Sequence, residues 1–386
     1  MKKLVRITTV PISLDKLLGQ QLRYMNAFYE VTILSSQPKK LAEIAKKYGT
    51  KYYSVPLTRT ISPFRDLWSL WIMYRYLKKL KPEIVHTHTP KAGIIGMCAA
   101  FLAKTPVRMH TVAGLPLIEA GGMKRFVLNW VEKATSYFAT DVYPNSFGLA
   151  EFMAQHQLCP EAKIKVLGNG SSNGIDAQYF SPEHFSNNEK QNIRTELGID
   201  EDDFVFVFVG RMVRDKGLQE LIEAYTKLNR KKTKLLLIGT FEHRLDPLNK
   251  KTIQKIEQNP NIILTGFHQD VRPYFAASHA LVFPSYREGF PNVVMQAGAM
   301  GLPCIVSDIN GCNEIIKNGV NGLIIPAKNA TALQDAMDIF LKNPDQLEHM
   351  KKHSRAGIVK RFDQKYLWQE LQKEYERQLQ SHPSAT

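Results

Sequence analysis

A chain of 386 residues exceeds the length that one hydrophobic core usually covers, and a hydrophobic fraction of 44% can fill two, so we expect two domains of ordinary size. The longest apolar run, IIGMCAAFLA, is too short to cross a bilayer, so we expect no membrane-spanning segment. The net charge of +15 is one-sided: residues 1–180 hold 24 Lys and Arg against 11 Asp and Glu, and the remaining residues hold 27 against 25. Such a field attracts nucleic acid, acidic lipid headgroups or a phosphorylated substrate, although a basic surface kept for solubility is the plainer alternative.

The cysteines and the N-terminal segment indicate the cellular compartment. The four cysteines are Cys98, Cys159, Cys304 and Cys312. They form no C-x-x-C pair and have no ligand-like spacing with histidine, which favours a reducing compartment over a disulfide-bonded scaffold. The start, MKKLVRITTV, breaks its apolar run at Arg6 and soon meets Pro11, so it predicts a first strand and not a signal peptide. We expect a cytoplasmic protein.

Short apolar and β-branched runs, the predicted strands, alternate with helical stretches along the chain. In order they are LVRITTV, VTILSS, YYSVPL, EIVHTHT, VRMHTV, DVYPNS and KIKVLGN in the first half, and FVFVFVG, KLLLIGT, IILTGF, ALVFPS, PCIVSD and GLIIPA in the second. Continuous apolar runs are typical of strands covered on both faces, and strand-helix alternation is typical of parallel sheets. The chain is predicted to be α/β, with two Rossmann-like parallel-sheet domains that face a central cleft at the carboxyl ends of their strands.

A polar, turn-rich stretch, FSPEHFSNNEKQNIRTELGIDEDD, separates the two halves. We predict an N-terminal domain over residues 1–182, a C-terminal domain over residues 183–362, and a terminal helix with its tail over residues 363–386. In that helix Tyr366, Leu367, Leu371 and Tyr375 recur at helical spacing, so it packs on one domain or bridges both.

The segment FVGRMVRDKG follows a buried strand and precedes the helical stretch LQELIEAYTKL. Gly210 lets the backbone turn closely, Arg211 and Lys216 can converge on the cleft, and the free N–H groups of a helix start favour an anion. A diphosphate fits this arrangement. The alternative is a solvated turn with charges at a helix end.

A second segment, EGFPNVVMQAGAMG, again follows a predicted strand. Glu288 ends the loop, Gly289 and Pro291 set the backbone, and residues 290–293 begin a helix whose positive end points at the cleft. Asn292 lies four residues before Gln296, so the two share one face of that helix. The segment therefore offers a carboxylate for hydroxyl groups and N–H groups for an oxyanion.

These two segments, with PSYREGFPNVVMQAGAMGLPCIVSDINGCNEII, resemble the donor-binding half of glycosyltransferase family 4, whose two domains form the GT-B fold. The segment GNGSSNGIDAQYFSP is similar to a further element of that family, so the resemblance covers essentially the whole chain. It implies that Arg211 and Lys216 hold the donor diphosphate, that Glu288 binds donor-sugar hydroxyls, and that the backbone of residues 289–293, Phe290 included, cradles the distal phosphate. Gln296 stands where the family usually has a second glutamate that binds ribose.

In the first half, VRMHTVAGLP places His110 just after a predicted strand, where it matches the cleft histidine that contacts the donor sugar in the family. A buried, hydrogen-bonded histidine is the structural alternative. The segment VHTHTPKAG places His86, His88 and Lys91 at another strand end. Without a third metal ligand, contact with an acceptor phosphate or a structural role is the better interpretation.

The loop after the first strand, TTVPISLDKLLGQQ, departs from the glycine-rich loop of the family and contains only Gly19. Ser13 and Gly19 are our candidate acceptor-side residues there. The segment PFRDLWSLWIMYRYLKKLKPE mixes aromatic and basic side chains, which suits a headgroup interface, while a core helix with a basic solvated end is the alternative.

The resemblance implies a retaining hexosyltransferase that needs no metal or other cofactor and uses a nucleotide-sugar donor, UDP-linked in our interpretation. The expected acceptor is a polyprenyl-diphosphate-linked saccharide of capsule, O-antigen or bacterial glycan assembly. The expected site of action is the anionic cytoplasmic face of the membrane, with no role for nucleic acid. One alternative is a nucleotide-sugar epimerase of the same fold. The other is a non-enzymatic binder of anionic glycan or nucleic acid, which the charge favours but which lacks a nucleic-acid module.

Overall fold

The computed structural model describes residues 1–60, 62–115, 117, 121–228, 230–242 and 246–383. The chain divides into two compact units, the first formed by residues 1–174 with the segment from Gln364 onward, and the second by Ile175–Asp363. We predicted domain boundaries after residues 182 and 362, and the observed divisions lie after residues 174 and 363. Residues 384–386 of the predicted tail lie outside the described residues.

The first unit is built on a parallel sheet of six strands in the described residues, in the order β3-β2-β1-β4-β5-β6. The strands are β1 (Lys3–Ile7), β2 (Glu30–Ser35), β3 (Lys51–Ser54), β4 (Ile84–Thr87), β5 (Val107–Val112) and β6 (Asp141–Pro144). The register aligns Arg6 of β1 with His86 of β4, and Thr87 of β4 with His110 of β5. The carboxyl ends of the central strands therefore bring these side chains to one edge.

Helices cover both faces of this sheet. They are α1 (Pro11–Ser13), α2 (Gln20–Asn26), α3 (Pro38–Tyr48), α4 (Pro63–Leu80), α5 (Pro90–Leu102), α6 (Gly122–Phe138), α7 (Phe147–Gln155) and the C-terminal helix. A π-helical turn over Leu14–Leu18 continues α1, so the loop after β1 is helical where the family has a glycine-rich loop. Helix α5 packs against both α4 and α6.

The predicted terminal helix is observed over Gln364–Ser381 and is called α16 below. Its buried side chains include Leu367, Trp368, Leu371 and Tyr375, and the last three join the core of the first unit. Tyr366 remains 40% exposed, so the helix presents Trp368 and not Tyr366 to that core.

The prediction of a strand over KIKVLGN is wrong. The segment begins in a 3-10 turn at Glu161–Lys163 and pairs with β6 through a single bridge at Ile164. Gly168 and Gly170 then adopt positive φ values of 54° and 93°, which turn the chain away from the sheet edge.

The second unit repeats the architecture, with a described sheet of six parallel strands in the order β12-β11-β10-β7-β8-β9. The strands are β7 (Phe204–Val209), β8 (Thr233–Ile238), β9 (Ile262–Gly266), β10 (Ala280–Phe283), β11 (Cys304–Ser307) and β12 (Gly322–Ile325). The helices are α8 (Asn187–Glu196), α9 (Leu218–Leu228), α10 (Lys250–Gln258), α11 (Arg272–Ala276), α12 (Asn292–Ala299), α13 (Cys312–Ile315), α14 (Ala330–Lys342) and α15 (Pro344–Phe362). The predicted α/β class, with two parallel-sheet domains, is confirmed.

Helix α12 is held firmly by close packing on α15. A Cβ atom on Gly298 of α12 would lie 2.6 Å from Cγ1 of Ile358, so glycine lets the two helices approach. Phe290, just before α12, is buried and meets the ring of Phe362 with ring centres 5.4 Å apart. The start of α12 is thereby fixed at the carboxyl edge of the sheet.

Candidate active site

Glycines allow the ends of three strands of the second unit, β7, β8 and β10, to lie close together. Gly217, which follows a 3-10 turn over Arg214–Lys216, has a φ of 70°, and a Cβ there would lie 2.0 Å from the carbonyl oxygen of Pro284. A Cβ on Gly239 would lie 1.9 Å from the carbonyl oxygen of Gly210. Only glycine fits such approaches. The segment after β7 therefore lies directly against the ends of β8 and β10.

Lys216 and Glu288, which the sequence analysis assigned to phosphate and sugar, contact each other. Lys216 Nζ lies 2.5 Å from Glu288 Oε1, and the two side chains are 17% and 16% exposed. Ser285 Oγ also donates to Glu288 Oε1 at 3.0 Å. The ammonium group lies 5.7 Å from the ring centre of Phe283. A cation and a carboxylate are thus held side by side at the end of β10, where each can exchange its partner for a ligand group.

Arg211 is placed differently. Its side chain is exposed and makes no hydrogen bond or ion pair with any residue the structure describes. The backbone of its neighbour Gly210 is fixed by an N–H bond to Ile238 O at 2.9 Å. The structure therefore brings Lys216 to Glu288 and leaves the Arg211 guanidinium in solvent.

The loop between Glu288 and α12 is held by its backbone. Asn310 Nδ2 donates to the carbonyl oxygens of Glu288 and Gly289, at 3.3 and 2.9 Å. Gly311, at a φ of 77°, packs so closely that a Cβ would lie 2.4 Å from Gly289 O. The carbonyl groups of this loop are thus directed towards Asn310, which favours an outward direction for its N–H groups.

Helix α12 begins at Asn292, and no side chain caps its N-terminus. Asn292 is exposed and Val293 is half-buried, so the first turn is accessible to a ligand. Uncapped N–H groups together with the helix dipole favour an anion. Gln296, one turn further, is partly exposed, and its side-chain amide makes no hydrogen bond within the described residues. The amide is free to meet a ligand.

Sequence reasoning did not identify three residues that support the Lys216–Glu288 pair, namely Asp215, Ser285 and Asn310. Asp215 contributes its carbonyl oxygen, which accepts from Tyr286 N at 2.8 Å, and its carboxylate, which meets the Arg287 guanidinium at 3.2 Å. Ser285 lies three residues before Glu288, and Asn310 lies in the segment SDINGC that carries the resemblance. The signal that could have identified these residues is their position within or next to the motif segments of the sequence.

In the first unit, His110 is buried, and its Nδ1 lies 2.7 Å from Thr87 Oγ1. A Cβ on Gly93 of α5 would lie 2.6 Å from His110 Cε1, so the ring fits tightly against that helix. Burial lowers the pKa of His110 to about 4, which keeps the ring neutral at physiological pH. It can therefore orient a sugar through hydrogen bonds but carries no positive charge.

The other histidines and Lys91 are engaged within the first unit. His86 contacts Tyr375 OH and Thr111 Oγ1, both at 2.7 Å, and His88 Nε2 accepts from Arg6 Nε at 2.9 Å. Lys91 Nζ lies 2.7 Å from an Asp66 oxygen. For His86 these contacts fit the structural alternative, since both ring nitrogens are used. No group of three or more His, Cys, Asp or Glu that could hold a metal occurs in the part of the chain that the structure describes.

Ser13 and Gly19 lie on either side of the π-helical turn. Ser13 N donates to Val10 O at 3.1 Å, and Gly19 N donates to Leu14 O at 2.9 Å. Residues of this segment line a cavity of about 610 Å³, together with residues at the ends of β2 and β3 such as Ser36 and Thr58. The segment that replaces the glycine-rich loop thus forms one wall of a polar depression in the first unit.

Two parallel-sheet units, one of which presents a lysine-carboxylate pair beside an uncapped helix start, are the features to compare with known proteins. The model of the glycosyl transferase 4-like domain matches residues 18–170, and that of glycosyl transferases group 1 matches residues 189–357. The chain is 33% identical over 377 residues to the capsular polysaccharide biosynthesis glycosyltransferase CapM of Staphylococcus aureus, with 97% of each chain covered. The chain therefore belongs to the glycosyltransferase family that combines these two domains, as the resemblance predicted.

Two further matches extend the comparison. The chain is 29% identical to the UDP-Gal:alpha-D-GlcNAc-diphosphoundecaprenol alpha-1,3-galactosyltransferase of Escherichia coli, over 88% of this chain and 86% of that one. The crystal structure of Anabaena HepE in complex with UDP superposes with a TM-score of 0.82 at 17% identity, covering 98% of this chain and 100% of that one. The predicted GT-B fold is confirmed.

Proposed function

We propose that this glycosyltransferase is a retaining hexosyltransferase that transfers a hexosyl group from a UDP-sugar to a polyprenyl-diphosphate-linked saccharide during capsule or O-antigen synthesis. The observation that carries the proposal is the Lys216–Glu288 pair beside the uncapped start of α12. This arrangement suits a ligand that is both a diphosphate and a polyol. The Escherichia coli relative is a galactosyltransferase for a diphosphoundecaprenol-linked sugar, which supports the lipid-linked acceptor, and the Staphylococcus aureus relative supports a role in capsular polysaccharide synthesis.

The charges of the site suit departure of a nucleoside diphosphate. When the bond between the anomeric carbon and the diphosphate oxygen breaks, negative charge develops on the phosphate. Lys216, Arg211 and the backbone N–H groups of residues 289, 290, 292 and 293 would stabilise that charge without a metal ion. Glu288, released from Lys216, would then accept hydrogen bonds from the sugar, and Gln296 would bind ribose.

Retention is proposed to follow from attack on the same face that the diphosphate leaves. The acceptor hydroxyl forms the new bond to the anomeric carbon, and its proton passes to the departing phosphate oxygen. No side chain is needed as a general base in this scheme. Neutral His110 is proposed to orient the donor sugar near the reacting carbon.

The test begins with binding. The thermal stability of the protein is measured against UDP, GDP, ADP, CMP and their sugar conjugates, since a ligand at a hundred times its dissociation constant adds about 2.7 kcal/mol to the folded state. A shift with UDP that is lost in Arg211→Ala supports the donor class. No shift with any nucleotide would contradict the proposal.

The reaction is tested next with a UDP-sugar and an undecaprenyl-diphosphate-linked saccharide. Transfer that persists in EDTA and gives a product of the donor's anomeric configuration is the expected result. Formation of an inverted-centre sugar nucleotide from donor alone would support the epimerase alternative. Duplex DNA binding at physiological salt that UDP-sugars cannot displace would support the binder.

We further propose that the first unit binds the anionic surface of the membrane through its aromatic surface, defined here as the exposed side chains of α4 and α6. These side chains are Phe64, Leu67, Trp68 and Trp71 on α4, and Met123, Phe126, Val127, Trp130 and Tyr137 on α6. Trp68 and Trp71 stack with ring centres 4.9 Å apart, and the Arg75 guanidinium lies 4.9 Å from the Trp71 ring. Clusters of exposed apolar side chains on soluble proteins mark interaction sites, and adjacent basic residues suit acidic headgroups.

The charge distribution supports this localisation, because residues 1–180 carry nearly all of the excess positive charge. No helix in the described ranges is long and apolar enough to cross a membrane. Vesicles of phosphatidylglycerol should sediment the protein at low salt, whereas phosphatidylcholine vesicles should not. Trp68→Ser combined with Trp130→Ser should abolish sedimentation, while Phe267→Ser, an exposed aromatic of the second unit, should leave it intact. Failure of acidic vesicles to sediment the wild type would overturn this localisation.

A further inference from the structure

Arg6 is a buried cation without a carboxylate partner. The residue lies next to the last residue of β1 and is fully buried. Its Nε donates to His88 Nε2 at 2.9 Å, and its Nη2 donates to Gln21 Oε1 at 2.6 Å. Its Nη1 has no hydrogen-bond partner among the described residues, and no ion pair involving Arg6 is formed within them. Burial of a charge without a counter-ion is unfavourable by several kcal/mol.

A polar cavity of about 20 Å³ lies beside this side chain. Its polar lining comes from Arg6, Gln21, His86, His88, Asn145 and the Ser171–Ser172 segment, all in the first unit. A cavity of this volume has room for one water molecule or one small monovalent ion. Asn145 contributes a second buried polar atom, Oδ1, that has no partner among the described residues.

The neighbouring groups do not compensate the charge. Burial and the nearby Arg6 guanidinium hold the pKa of His86 well below its ordinary value of 6.5, and burial with the charges of its neighbours does the same for His88. Because His88 Nε2 accepts from Arg6, the neutral ring carries its proton on Nδ1 and offers a second donor. The cavity is therefore lined by a cation and neutral dipoles.

We propose that this cavity is an anion site that binds one halide-sized monovalent ion, chloride under ordinary conditions, against Arg6 Nη1. The anion supplies the missing counter-charge. Asn145 Nδ2 donates to Ala113 O and Ser172 Oγ, both at the long distance of 3.5 Å, and these two weak bonds are given up when a half-turn of the amide directs Nδ2 to the ion. A bridging water between Arg6 Nη1 and Asn145 Oδ1 is the competing occupant.

The position of the cavity indicates a structural role for the bound ion. Gln21, which holds Arg6, also donates to Asn173 Oδ1 at 3.2 Å, and Trp368 Nε1 of α16 donates to the same oxygen at 2.7 Å. The ion thus lies where the ends of β1, β4 and β6 meet the last residues of the first unit before Gly174. Its binding stabilises that junction.

The first experiment is thermal unfolding of the full chain in sodium chloride or bromide against sodium gluconate at equal ionic strength. Above the dissociation constant of the ion, the transition of the first unit should rise by roughly 3 to 5 °C per tenfold increase in halide. Crystals soaked in bromide should show an anomalous peak in contact with Arg6 Nη1.

Two variants separate the site from general salt effects. Asn145→Asp places a fixed carboxylate in the cavity, so it should raise the unfolding temperature in gluconate and abolish the halide response. Arg108→Met is the control, because the Arg108 guanidinium on the same sheet is satisfied by the carbonyl oxygens of Phe138 and Thr105. It should keep the halide response. Equal stability of the wild type in halide and gluconate, or a water molecule without anomalous signal in the bromide crystal, would overturn the proposal.

Discussion

At the residue scale, the proposed donor site predicts that nucleotide phosphate competes with the Glu288 carboxylate for the Lys216 ammonium group, since these two side chains form an ion pair. We expect Glu288→Gln to bind UDP more tightly by about 1 kcal/mol, or roughly fivefold, because Lys216 is then released. The same change should slow sugar transfer by roughly a hundredfold, since the sugar loses its positioning carboxylate. Isothermal titration with UDP and a transfer assay measure the two effects.

The matched variant is Lys216→Gln, which should weaken UDP binding and slow transfer together. If Glu288→Gln instead weakens UDP binding as much as Lys216→Gln does, the carboxylate does not compete for the lysine.

Gln296 allows a second test of the donor site. A ribose hydroxyl donates more strongly to a carboxylate than to an amide, by about 1 kcal/mol. Gln296→Glu should therefore tighten UDP binding by roughly fivefold, and Gln296→Ala should weaken it. Unchanged affinity in both variants, measured by titration calorimetry, would show that the amide does not meet the ribose.

Glu132 on α6 is buried, and its carboxyl group makes no hydrogen bond or ion pair with the residues that the structure describes. Burial raises the pKa of Glu132 from its ordinary value of 4.5 to about 7. The folded state thus holds a proton that the unfolded state releases between pH 4.5 and about 7. Stability from this group is fully present below pH 4.5 and is lost as the pH rises to about 7.

Glu132→Gln should accordingly stabilise the protein at pH 8 by about 2 to 3 kcal/mol and change little at pH 4.5. The difference between variant and wild type in denaturant unfolding isolates this carboxyl from all others. A difference that does not change with pH would show that Glu132 is ionised in the folded state.

At the element scale, the turn that carries Lys216 depends on one glycine. Gly217 has a φ of 70° and lies against Pro284, so Gly217→Ala combines backbone strain with a clash of the new Cβ against a carbonyl oxygen. The expected loss of stability is about 3 kcal/mol or more, with displacement of the β10 loop that holds Ser285 and Glu288. UDP binding should fall with it.

The control is Gly319→Ala, which has a similar φ of 76° but no atom within 4 Å of the new Cβ. It should cost only the strain, about 1 kcal/mol, and keep UDP binding. Equal losses in the two variants would remove the argument for the contact with Pro284. Urea unfolding and UDP titration distinguish these outcomes.

The elements were predictable from the sequence where burial dominates. Runs such as FVFVFV and KLLLI predict strands because most of their side chains are buried against a hydrophobic face. The segment KIKVLGN also contains apolar and β-branched residues but forms no strand, because Gly168 and Gly170 turn the chain and Lys165 reaches Glu374. The glycines are visible in the local sequence, but the contact of Lys165 with Glu374 joins residues far apart in the chain and is not contained in the local pattern.

The candidate site, too, was only partly predictable from the sequence. The resemblance named Lys216 and Glu288, but their contact joins residues 72 positions apart and could not be predicted from either motif alone. Arg6 was visible only as a break in the run LVRITTV. That a charged residue in a central strand is fully buried depends on Gln21, His88 and a cavity that tertiary packing creates.

At the scale of the whole molecule, the order of the segments along the chain determines whether each unit can fold on its own. The second unit is one continuous segment, Ile175–Asp363, whereas the first is completed by α16 from the other end of the chain. Helix α16 supplies Trp368, Leu371 and Tyr375 to the core of the first unit. It also supplies Glu374, whose pKa falls to about 2 because hydrogen bonds from Arg377, Lys165 and Tyr143 stabilise the carboxylate against burial.

We therefore expect residues 175–363 to fold when expressed alone, with a cooperative thermal transition and measurable UDP binding, because every strand of their sheet is present. Residues 1–174 alone should fail to give dispersed amide resonances, since removal of α16 exposes the apolar face that it covers and leaves His86 without Tyr375. Addition of a peptide with the sequence of residues 364–383 should restore the fold and raise the unfolding temperature with peptide concentration. A version of the peptide with Tyr375→Ala and Leu371→Ala should not. Cooperative folding of residues 1–174 without the peptide would show that the first unit does not need the end of the chain.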